Sequence, residues 1–264
     1  MAKLWKPKEV YEIFDPSKYD IPETCGRMRD EFIPYHRQYD TLSQKDLSAL
    51  IADARKHQWQ ALDLSRCGLR TLPDELWDLP DLRMLYLGNQ ASSAQRANRL
   101  ILLPRKIEKL QNLQVLSLVN QRIQVEGTDP LNLPKLVHLE LFGTGYDAYP
   151  TVFCIPSVEQ LVINGLTQPL PAQFSSMRRL TTLFLNECRI QSSLQRLAPM
   201  KHLRELNLPD SDITTLPSFA TGWTKLTSLF IHDTPLFEKL PPEATKLDGQ
   251  ELVRYILKMQ SSSQ

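Results

Sequence analysis

Two short stretches of this chain carry residue types that could perform chemistry. Cys25 is followed closely by two arginines that would favour a thiolate, and His36 and His57 are candidate bases. The stretch 143–148, Gly-Thr-Gly-Tyr-Asp-Ala, follows a predicted strand and mimics a dinucleotide fingerprint, which needs a helix N-terminus for the pyrophosphate. Pro150 interrupts any such helix, and a lone cysteine beside arginine is more often incidental than catalytic. The sequence predicts no catalytic, cofactor-binding or metal-binding residue, and therefore no enzyme.

A second set of candidate residues is suited to recognition, and it recurs at spacings near 23 residues. Aromatic side chains are typical anchors at interface centres, and neighbouring carboxylates favour a partner with basic groups. The alternative interpretation is that scattered surface aromatics have no function. Because several of them share two adjacent positions of a repeat, we expect one solvent-facing surface that binds a protein or peptide with basic and apolar groups. The predicted partner-binding residues are Tyr86, Glu140, Phe142, Phe184, Glu187, Asn207, Phe230 and His232.

The element that must position them is a repeated phrase, Leu-x-x-Leu-x-Leu. In the copy at Leu180, Leu183 and Leu185 alternate with Thr182, Phe184 and Asn186, which is the pattern of a strand with one buried face. One such strand cannot bury its own leucines, so the copies must stack into a parallel sheet. Copies begin at Trp59, Leu82, Leu113, Leu136, Val158, Leu180, Leu203 and Leu226, with spacings of 23, 31, 23, 22, 22, 23 and 23 residues.

With its ninth position included, the phrase resembles the leucine-rich-repeat family, as in Leu203-Arg-Glu-Leu206-Asn-Leu208-Pro-Asp-Ser211-Asp-Ile213. The resemblance implies an α/β solenoid, an arc with a parallel concave β-sheet, an irregular or short-helical convex side and helical caps at both ends. It also implies a non-enzymatic module for protein–protein interaction. The family usually has Asn at the ninth position, where its amide satisfies backbone groups, and Leu166 cannot take that role. The ninth positions here are Cys67, Asn98, Gln121, Thr144, Leu166, Cys188, Ser211 and Thr234.

The return half of most copies contains Leu-Pro or Tyr-Pro, which suits a turn into a short helical segment. The copies at Leu113 and Leu180 lack this pair, so we expect irregular outer faces there. The 31-residue spacing contains eight additional residues, 90–97, which should project as a loop from one rim. This loop is either a tolerated surface insertion or part of a binding surface.

The predicted organisation has four parts. Residues 1–40 form an N-terminal extension, 41–58 a capping helix, 59–241 the eight repeats, and 242–264 a C-terminal capping helix and tail. Ser43 is the expected N-cap of the first helix. Apolar residues at helical spacing form one face of each helix: Leu47, Leu50, Ile51 and Ala54 in the first, and Leu252, Tyr255, Ile256 and Met259 in the second.

The N-terminal extension leaves two possibilities open. It contains seven aromatic residues, Trp5, Tyr11, Phe14, Tyr19, Phe32, Tyr35 and Tyr39, among seven basic and eight acidic ones. That composition is too aromatic for a plain disordered tail. The extension either packs over the first repeats or forms a docking arm. The second possibility supports an alternative function, in which the chain is a regulatory or sensor subunit of an enzyme or signalling complex.

Composition and the C-terminal stretch limit the classes of partner that we expect. Lys and Arg total 31 and Asp and Glu 30, a net charge of +1, so we expect neither nucleic acid nor a membrane as partner. Four cysteines without paired cap cysteines, and no leader or long apolar run, predict a cytoplasmic protein. The stretch 239–256 resembles the exit of bacterial arrays that precede a Roc-type GTPase, but the chain has no Walker phosphate-binding motif.

Overall fold

The computed structural model describes residues 44–65, 67–88 and 97–262. Most of the predicted insertion, the N-terminal extension and the expected N-cap Ser43 lie outside these ranges. The two helices are α1, Gln44–Lys56, and α2, Gly249–Ser262. The strands are β1 Ala61–Asp63, β2 Met84–Tyr86, β3 Leu102–Leu103, β4 Val115–Ser117, β5 Gln124–Val125, β6 His138–Leu141, β7 Gln160–Asn164, β8 Thr182–Asn186, β9 Glu205–Asn207 and β10 Ser228–Phe230.

Eight of these strands form one parallel sheet with the order β1-β2-β4-β6-β7-β8-β9-β10, so each repeat contributes one strand. The second motif leucine occupies the same register position in all eight strands, from Leu62 opposite Leu85 to Leu206 opposite Leu229. All of these leucines are buried on the side of the main core. The predicted register and the predicted parallel sheet are therefore confirmed. Strands β3 and β5 form a separate two-stranded parallel sheet.

The return halves of the copies other than the one at Leu113 form 3-10 helices that close the core behind the sheet. The prolines that precede five of them have φ between −67° and −74°, the value that the pyrrolidine ring imposes. Large apolar side chains of these helices, such as Trp77 and Phe174, are fully buried in the same core as the motif leucines. The 3-10 helices are Asp74–Asp78, Arg105–Lys109, Thr151–Phe153, Ala172–Ser176, Gln191–Leu197, Ser218–Gly222, Phe237–Lys239 and Ala244–Lys246.

The expectation of an irregular outer face is wrong for the copy at Leu180. Its return half is the 3-10 helix Gln191–Leu197, the longest among the described residues, and it forms without a preceding proline. Leu194 and Leu197 lie one turn apart in this helix and are both buried. Their packing holds the helical turn in place, as the preceding proline does in other copies. Ser193 adds a hydrogen bond across repeats, because its hydroxyl accepts from the Leu170 N–H at 2.9 Å.

The ninth position holds the turns of adjacent repeats together. The Asn98 side-chain oxygen accepts from the N–H groups of Cys67 and Leu69 at 3.0 and 2.9 Å. Its amide donates to the carbonyls of Leu64 and Leu87 at 2.7 and 2.9 Å. One side chain thus satisfies four buried backbone groups. Gln121 and Ser211 also donate across repeats, to the carbonyls of Asn98 and Leu185, whereas Thr144 and Thr234 donate within their own turns, to the carbonyls of Leu141 and Ile231.

The two helices contact the first and last repeats: α1 contacts the 3-10 helix Asp74–Asp78, and α2 contacts β10. In α1 the side chains of Leu47, Leu50, Ile51 and Ala54 are buried, as their spacing predicts. Helix α2 contacts β10 and buries Leu252 and Ile256, with Tyr255 and Met259 partly buried against the core. Asp248, just before α2, accepts from the Leu229 N–H of the last strand at 2.6 Å. That bond occupies a backbone donor that an edge strand would otherwise expose.

Candidate functional site

The concave face is the side of the eight-stranded sheet opposite the core leucines. Its central column contains one residue from each strand, and the strand pairing places these residues next to one another in a single row. Alternate residues of a strand point to opposite sides, so these side chains cannot join the core that the leucines form. The central column is Asp63, Tyr86, Ser117, Glu140, Val162, Phe184, Asn207 and Phe230.

The prediction that this whole column faces solvent is wrong for its central part. Phe184 and Glu140 are each 2% exposed, and Tyr86 and Asn207 are each 6% exposed. Val162, between Glu140 and Phe184 in the row, is equally buried. The strand pattern shows which residues share a face, but it does not show whether that face is covered. The structure brings these four predicted residues into one row and buries all four.

The buried part of the concave face contains a polar cluster as well as apolar side chains. His138 Nε2 lies 3.0 Å from Glu140 Oε1, and His138 Nδ1 lies 2.9 Å from Gln160 Oε1. All three side chains are at most 5% exposed. A carboxylate at such depth is tolerated because it is paired and hydrogen-bonded. Sequence reasoning identified Glu140 and missed His138 and Gln160, which adjoin the central column on the strand-start side.

An apolar cluster on the same face is separate from the main core. Met84, Tyr86 and Val115 pack together, and Ala61 contacts them from the first strand. Both faces of β2 and β4 are therefore buried, the leucine face by the core and the other by this cluster. This two-sided burial continues through β6, β7 and β8, where all but one of the strand residues are buried.

The C-terminal end of the concave face is open. Phe230 is 38% exposed, and His232 is also exposed. The His232 ring lies 6.5 Å from the Phe230 ring and stacks edge-on against Phe237, with centroids 4.6 Å apart. A cavity of about 240 Å³ opens beside these rings, and Lys246 and Leu247 also line it. That volume accommodates one large side chain rather than a whole small-molecule ligand.

Carboxylates line the rim where the strands end. Glu187, Asp210 and Asp233 are exposed, and each follows its strand in a left-handed conformation with φ between 54° and 57°. Asn207, at the end of β9, donates to Oε1 of Glu205, at the start of the same strand, at 3.0 Å. Phe142, also predicted as a binding residue, is half-buried. The rim and the open aromatic pair together form an acidic-aromatic surface over the last three repeats.

The opposite rim, where the strands begin, is basic, and sequence reasoning missed it. Arg179, Arg204 and Lys225 line a depression of about 250 Å³. Arg179 pairs with Glu159 at 2.5 Å, and Lys225 Nζ lies 3.2 Å from His202 Nδ1. The basic residues flank the first motif leucine in three successive repeats. The rim becomes visible in the sequence only when these three repeats are aligned with one another.

The thiols do not form a nucleophilic site in the described part of the chain. Burial raises the pKa of Cys67, Cys154 and Cys188 to about 12, far from the depressed value that a reactive thiolate needs. Cys25 and His36 lie outside the described residues. Within residues 44–65, 67–88 and 97–262, no group of three or more His, Cys, Asp or Glu side chains is arranged to hold a metal ion. None of the helices described is both long and apolar enough to span a membrane.

Comparison with solved structures agrees with this architecture. Internalin C2 from Listeria monocytogenes matches with a TM-score of 0.51 and 17% identity over 73% of this chain and 76% of that one. The chain has the leucine-rich-repeat fold. A leucine-rich-repeat protein of Leptospira interrogans matches at 18% identity and a TM-score of 0.42, over 69% of this chain. The present chain spans 63% of the length of that protein.

A third leucine-rich-repeat neighbour is the plant peptide hormone receptor RGFR1, solved in complex with RGF2. It matches at 21% identity with a TM-score of 0.37, over 70% of this chain and 26% of the receptor. Of these three matches, the internalin comparison has a TM-score above 0.5, so the assignment of the fold relies on it. No family model and no curated protein matches the sequence.

Proposed function

We propose that this chain is a non-enzymatic interaction module that binds a protein or peptide on the C-terminal end of its concave face. The observation that carries the proposal is the open aromatic pair Phe230 and His232 beside a cavity of about 240 Å³. An exposed aromatic at the edge of a side-chain-sized cavity is a typical anchor point for a partner side chain. The sheet supports it rigidly, because β10 is paired with β9 and held by Asp248.

The charges around this position favour a partner with basic and apolar groups. Glu187, Asp210 and Asp233 are exposed on the adjacent rim. Rim carboxylates steer a basic segment of the partner and set its orientation. The aromatic anchor, once the partner buries it, contributes most of the affinity. Of the residues predicted from sequence, this proposal keeps Glu187, Phe230 and His232 as direct contacts. Tyr86, Glu140, Phe184 and Asn207 support the sheet from positions that a partner does not reach in this conformation.

The test is capture of a partner by the full chain, with matched variants. Wild type, Phe230→Ala/His232→Ala and the control Ile101→Ser are immobilised and exposed to the same native lysate, and bound proteins are identified by mass spectrometry. Ile101 is 71% exposed and lies outside the concave face, so its substitution removes apolar surface without touching the site. A partner bound by wild type and control but lost from the double variant supports the proposal.

One outcome of the same experiment would contradict the proposed binding site. A partner that binds all three proteins equally does not use Phe230 and His232, and the N-terminal extension then becomes the leading docking segment. Asp210→Asn/Asp233→Asn sharpens the assignment of charge, because loss of rim carboxylates should weaken binding and reduce its dependence on salt. A cytoplasmic location remains a prediction from cysteine usage.

A further inference from the structure

A cationic depression lies at the edge of the sheet where strands β8, β9 and β10 begin. Arg179, His202 and Lys225 directly precede the first motif leucine of three successive repeats. Arg204 directly follows the first motif leucine of the middle repeat. All four side chains are exposed, and they line a cavity of about 250 Å³. The partner-binding function proposed above uses none of these four residues.

The charge at these flanking positions changes along the array. In the first five repeats the charges on either side of the first motif residue cancel, with Asp81 and Glu159 opposed by Arg83 and Lys135. The other flanking residues of those repeats are uncharged. In the last three repeats the same positions contain no acidic residue. Positive charge is therefore concentrated in one part of the rim, although the whole chain has a net charge of +1.

The carboxylates beside the depression leave part of this charge uncompensated. Glu159, which also lines the depression, pairs with Arg179 at 2.5 Å. Glu205 Oε1 accepts a hydrogen bond at 3.0 Å from a side-chain amide of its own strand. Arg204 and Lys225 form no ion pair with any residue of the described ranges. An anion that approaches the depression therefore meets two cations whose charge no described carboxylate has cancelled.

Hydrogen bonds fix the positions from which these side chains extend. The Arg204 N–H donates to the Thr181 carbonyl at 2.8 Å, and the Arg204 carbonyl accepts from the N–H and the hydroxyl of Thr227 at 2.8 and 2.9 Å. Lys225 Nζ lies 3.2 Å from His202 Nδ1, which accepts a hydrogen bond from the ammonium group when the imidazole is neutral. A ligand therefore meets cations that are already partly ordered, which lowers the entropic cost of binding.

The spacing of the cations suits a peptide that carries several carboxylates. Arg179 and Lys225 belong to repeats two strand spacings apart, which is about 10 Å along the rim. Carboxylates on alternate residues of an extended segment are about 7 Å apart, so two of them fit within this row. Arg204, in the middle repeat, has the guanidinium geometry that pairs with a carboxylate through two parallel N–H donors.

The opposite rim of the same repeats disfavours a long polyanion such as a nucleic acid. Glu187, Asp210 and Asp233 are exposed on that rim. Asp210 follows Arg204 by six residues, so the two backbone positions lie within about 20 Å of each other. A nucleic acid carries a negative charge every few ångströms and would bring phosphates close to these carboxylates. A short acidic peptide segment binds at the basic rim without crossing the face.

We propose that this depression binds an acidic segment of a protein partner, with Arg204 and Lys225 each pairing with a carboxylate. It is a second binding surface, opposite in charge to the acidic-aromatic surface on the other rim. The proposal goes beyond the partner-binding function and holds whether or not Phe230 and His232 bind a partner.

Fluorescence anisotropy with a defined probe tests the site. The probe is a dye-labelled octapeptide of alternating glutamate and glycine, and the same peptide with glutamine in place of glutamate controls for the dye. Wild type is compared with Arg204→Gln/Lys225→Gln and with Lys45→Gln/Lys56→Gln, which removes the same charge from exposed positions of α1. The first variant should bind the glutamate peptide roughly tenfold more weakly than wild type, and the α1 variant should bind it as wild type does. The affinity of wild type should fall as salt is raised.

Further arms of the experiment separate this site from its alternatives. Phe230→Ala/His232→Ala should bind the glutamate peptide as wild type does, and weaker binding would assign the peptide to the acidic-aromatic surface and overturn the proposal. Equal affinity of wild type and Arg204→Gln/Lys225→Gln, or no binding to wild type at low ionic strength, also overturns it. Tighter binding of a single-stranded oligonucleotide of equal charge overturns it in favour of a nucleic acid. Displacement of the peptide by inorganic phosphate at the same concentration of charge overturns it in favour of a site for one small anion.

Discussion

Phe184 and Phe230 occupy the same position of the repeat, two strands apart in the same row, and have opposite environments. Phe184 is 2% exposed, with Val162 and Asn207 on its two sides. Phe230 is 38% exposed and has Asn207 on one side alone, because β10 is the last strand. Identical local sequence patterns thus produce a structural residue in the middle of the array and a candidate binding residue at its end.

The difference shows how a solenoid separates stability from function. Each repeat is stabilised by its own packing and by its two neighbours, so a central repeat has two interfaces and a terminal repeat has one. Surface at the end of the array is therefore available for binding with little effect on the rest of the fold. The first three predictions that follow compare a position within the array with one in its last repeat, and the fourth tests the burial of the thiols.

The largest expected contrast is in the core. Leu139 lies between Leu116 and Leu161 and is fully buried, so Leu139→Asp places an unpaired charge in the interior at a cost of several kcal/mol or more. We expect loss of the cooperative thermal transition measured by circular dichroism. Leu229→Asp, in the last strand, should leave a folded array with a frayed end. If both substitutions abolished the thermal transition equally, the central and terminal repeats would not differ in their contribution to stability.

The next contrast is on the concave face. Phe184→Ala should reduce the free energy of unfolding by about 3–5 kcal/mol, because it empties a buried position. Phe230→Ala should cost less than about 1 kcal/mol, since much of that ring is already in water. Denaturant titration of both variants measures the difference. Similar losses from the two would mean that Phe184 is not buried in solution.

A smaller contrast concerns the ninth position. Asn98→Ala removes four hydrogen bonds and strands buried backbone groups, which should cost about 2–4 kcal/mol. Thr234→Ala, at the terminal equivalent, removes one bond to the Ile231 carbonyl and one from the Phe237 N–H and should cost about 1 kcal/mol. The midpoints of urea unfolding give the comparison. A greater loss of stability from Thr234→Ala than from Asn98→Ala would contradict the expectation that the ninth-position hydrogen bonds contribute less in the last repeat.

The smallest effect on the pH dependence of stability near neutral pH comes from the thiols of the first and central repeats. Burial holds the pKa of Cys67, Cys154 and Cys188 at about 12 against an ordinary value of 9.0. The folded chain keeps protons that the unfolded chain releases between pH 9 and 12, so this contribution is complete below pH 9 and falls as pH rises through that window. Alkylation of the three thiols at pH 8 should be slow in the folded protein and rapid in denaturant. Rapid labelling of the folded protein would contradict their burial.

The repeat pattern predicted most of the fold because it records burial directly. Leu183 and Leu185 are apolar at every second position, and their equivalents recur in each copy, so strand, register and parallel stacking all follow from sequence. The return half was predicted less well. Leu-Pro or Tyr-Pro marks five of the 3-10 helices, but Gln191–Leu197 forms through the packing of Leu194 and Leu197 instead.

The candidate site shows the limit of the same reasoning. Alternation identified Tyr86, Glu140 and Phe184 as members of one face, and the structure places them in one row. Alternation contains no information about what lies above a face, so it could not separate the buried residues from Phe230 and His232. The basic rim around Arg204 and Lys225 was missed for a related reason, because it forms between residues of different repeats.

The sequence by itself determined the period, the side of each strand that meets the core and the order in which the strands stack, because all three depend on the spacing of apolar residues along the chain. The tertiary structure alone decided which part of the concave face is open, since exposure depends on what lies above a side chain and on whether its strand has one neighbour or two. It also decided the polar cluster at Glu140, because His138 contacts Glu140 from two residues away on β6 and Gln160 reaches His138 from the neighbouring strand β7.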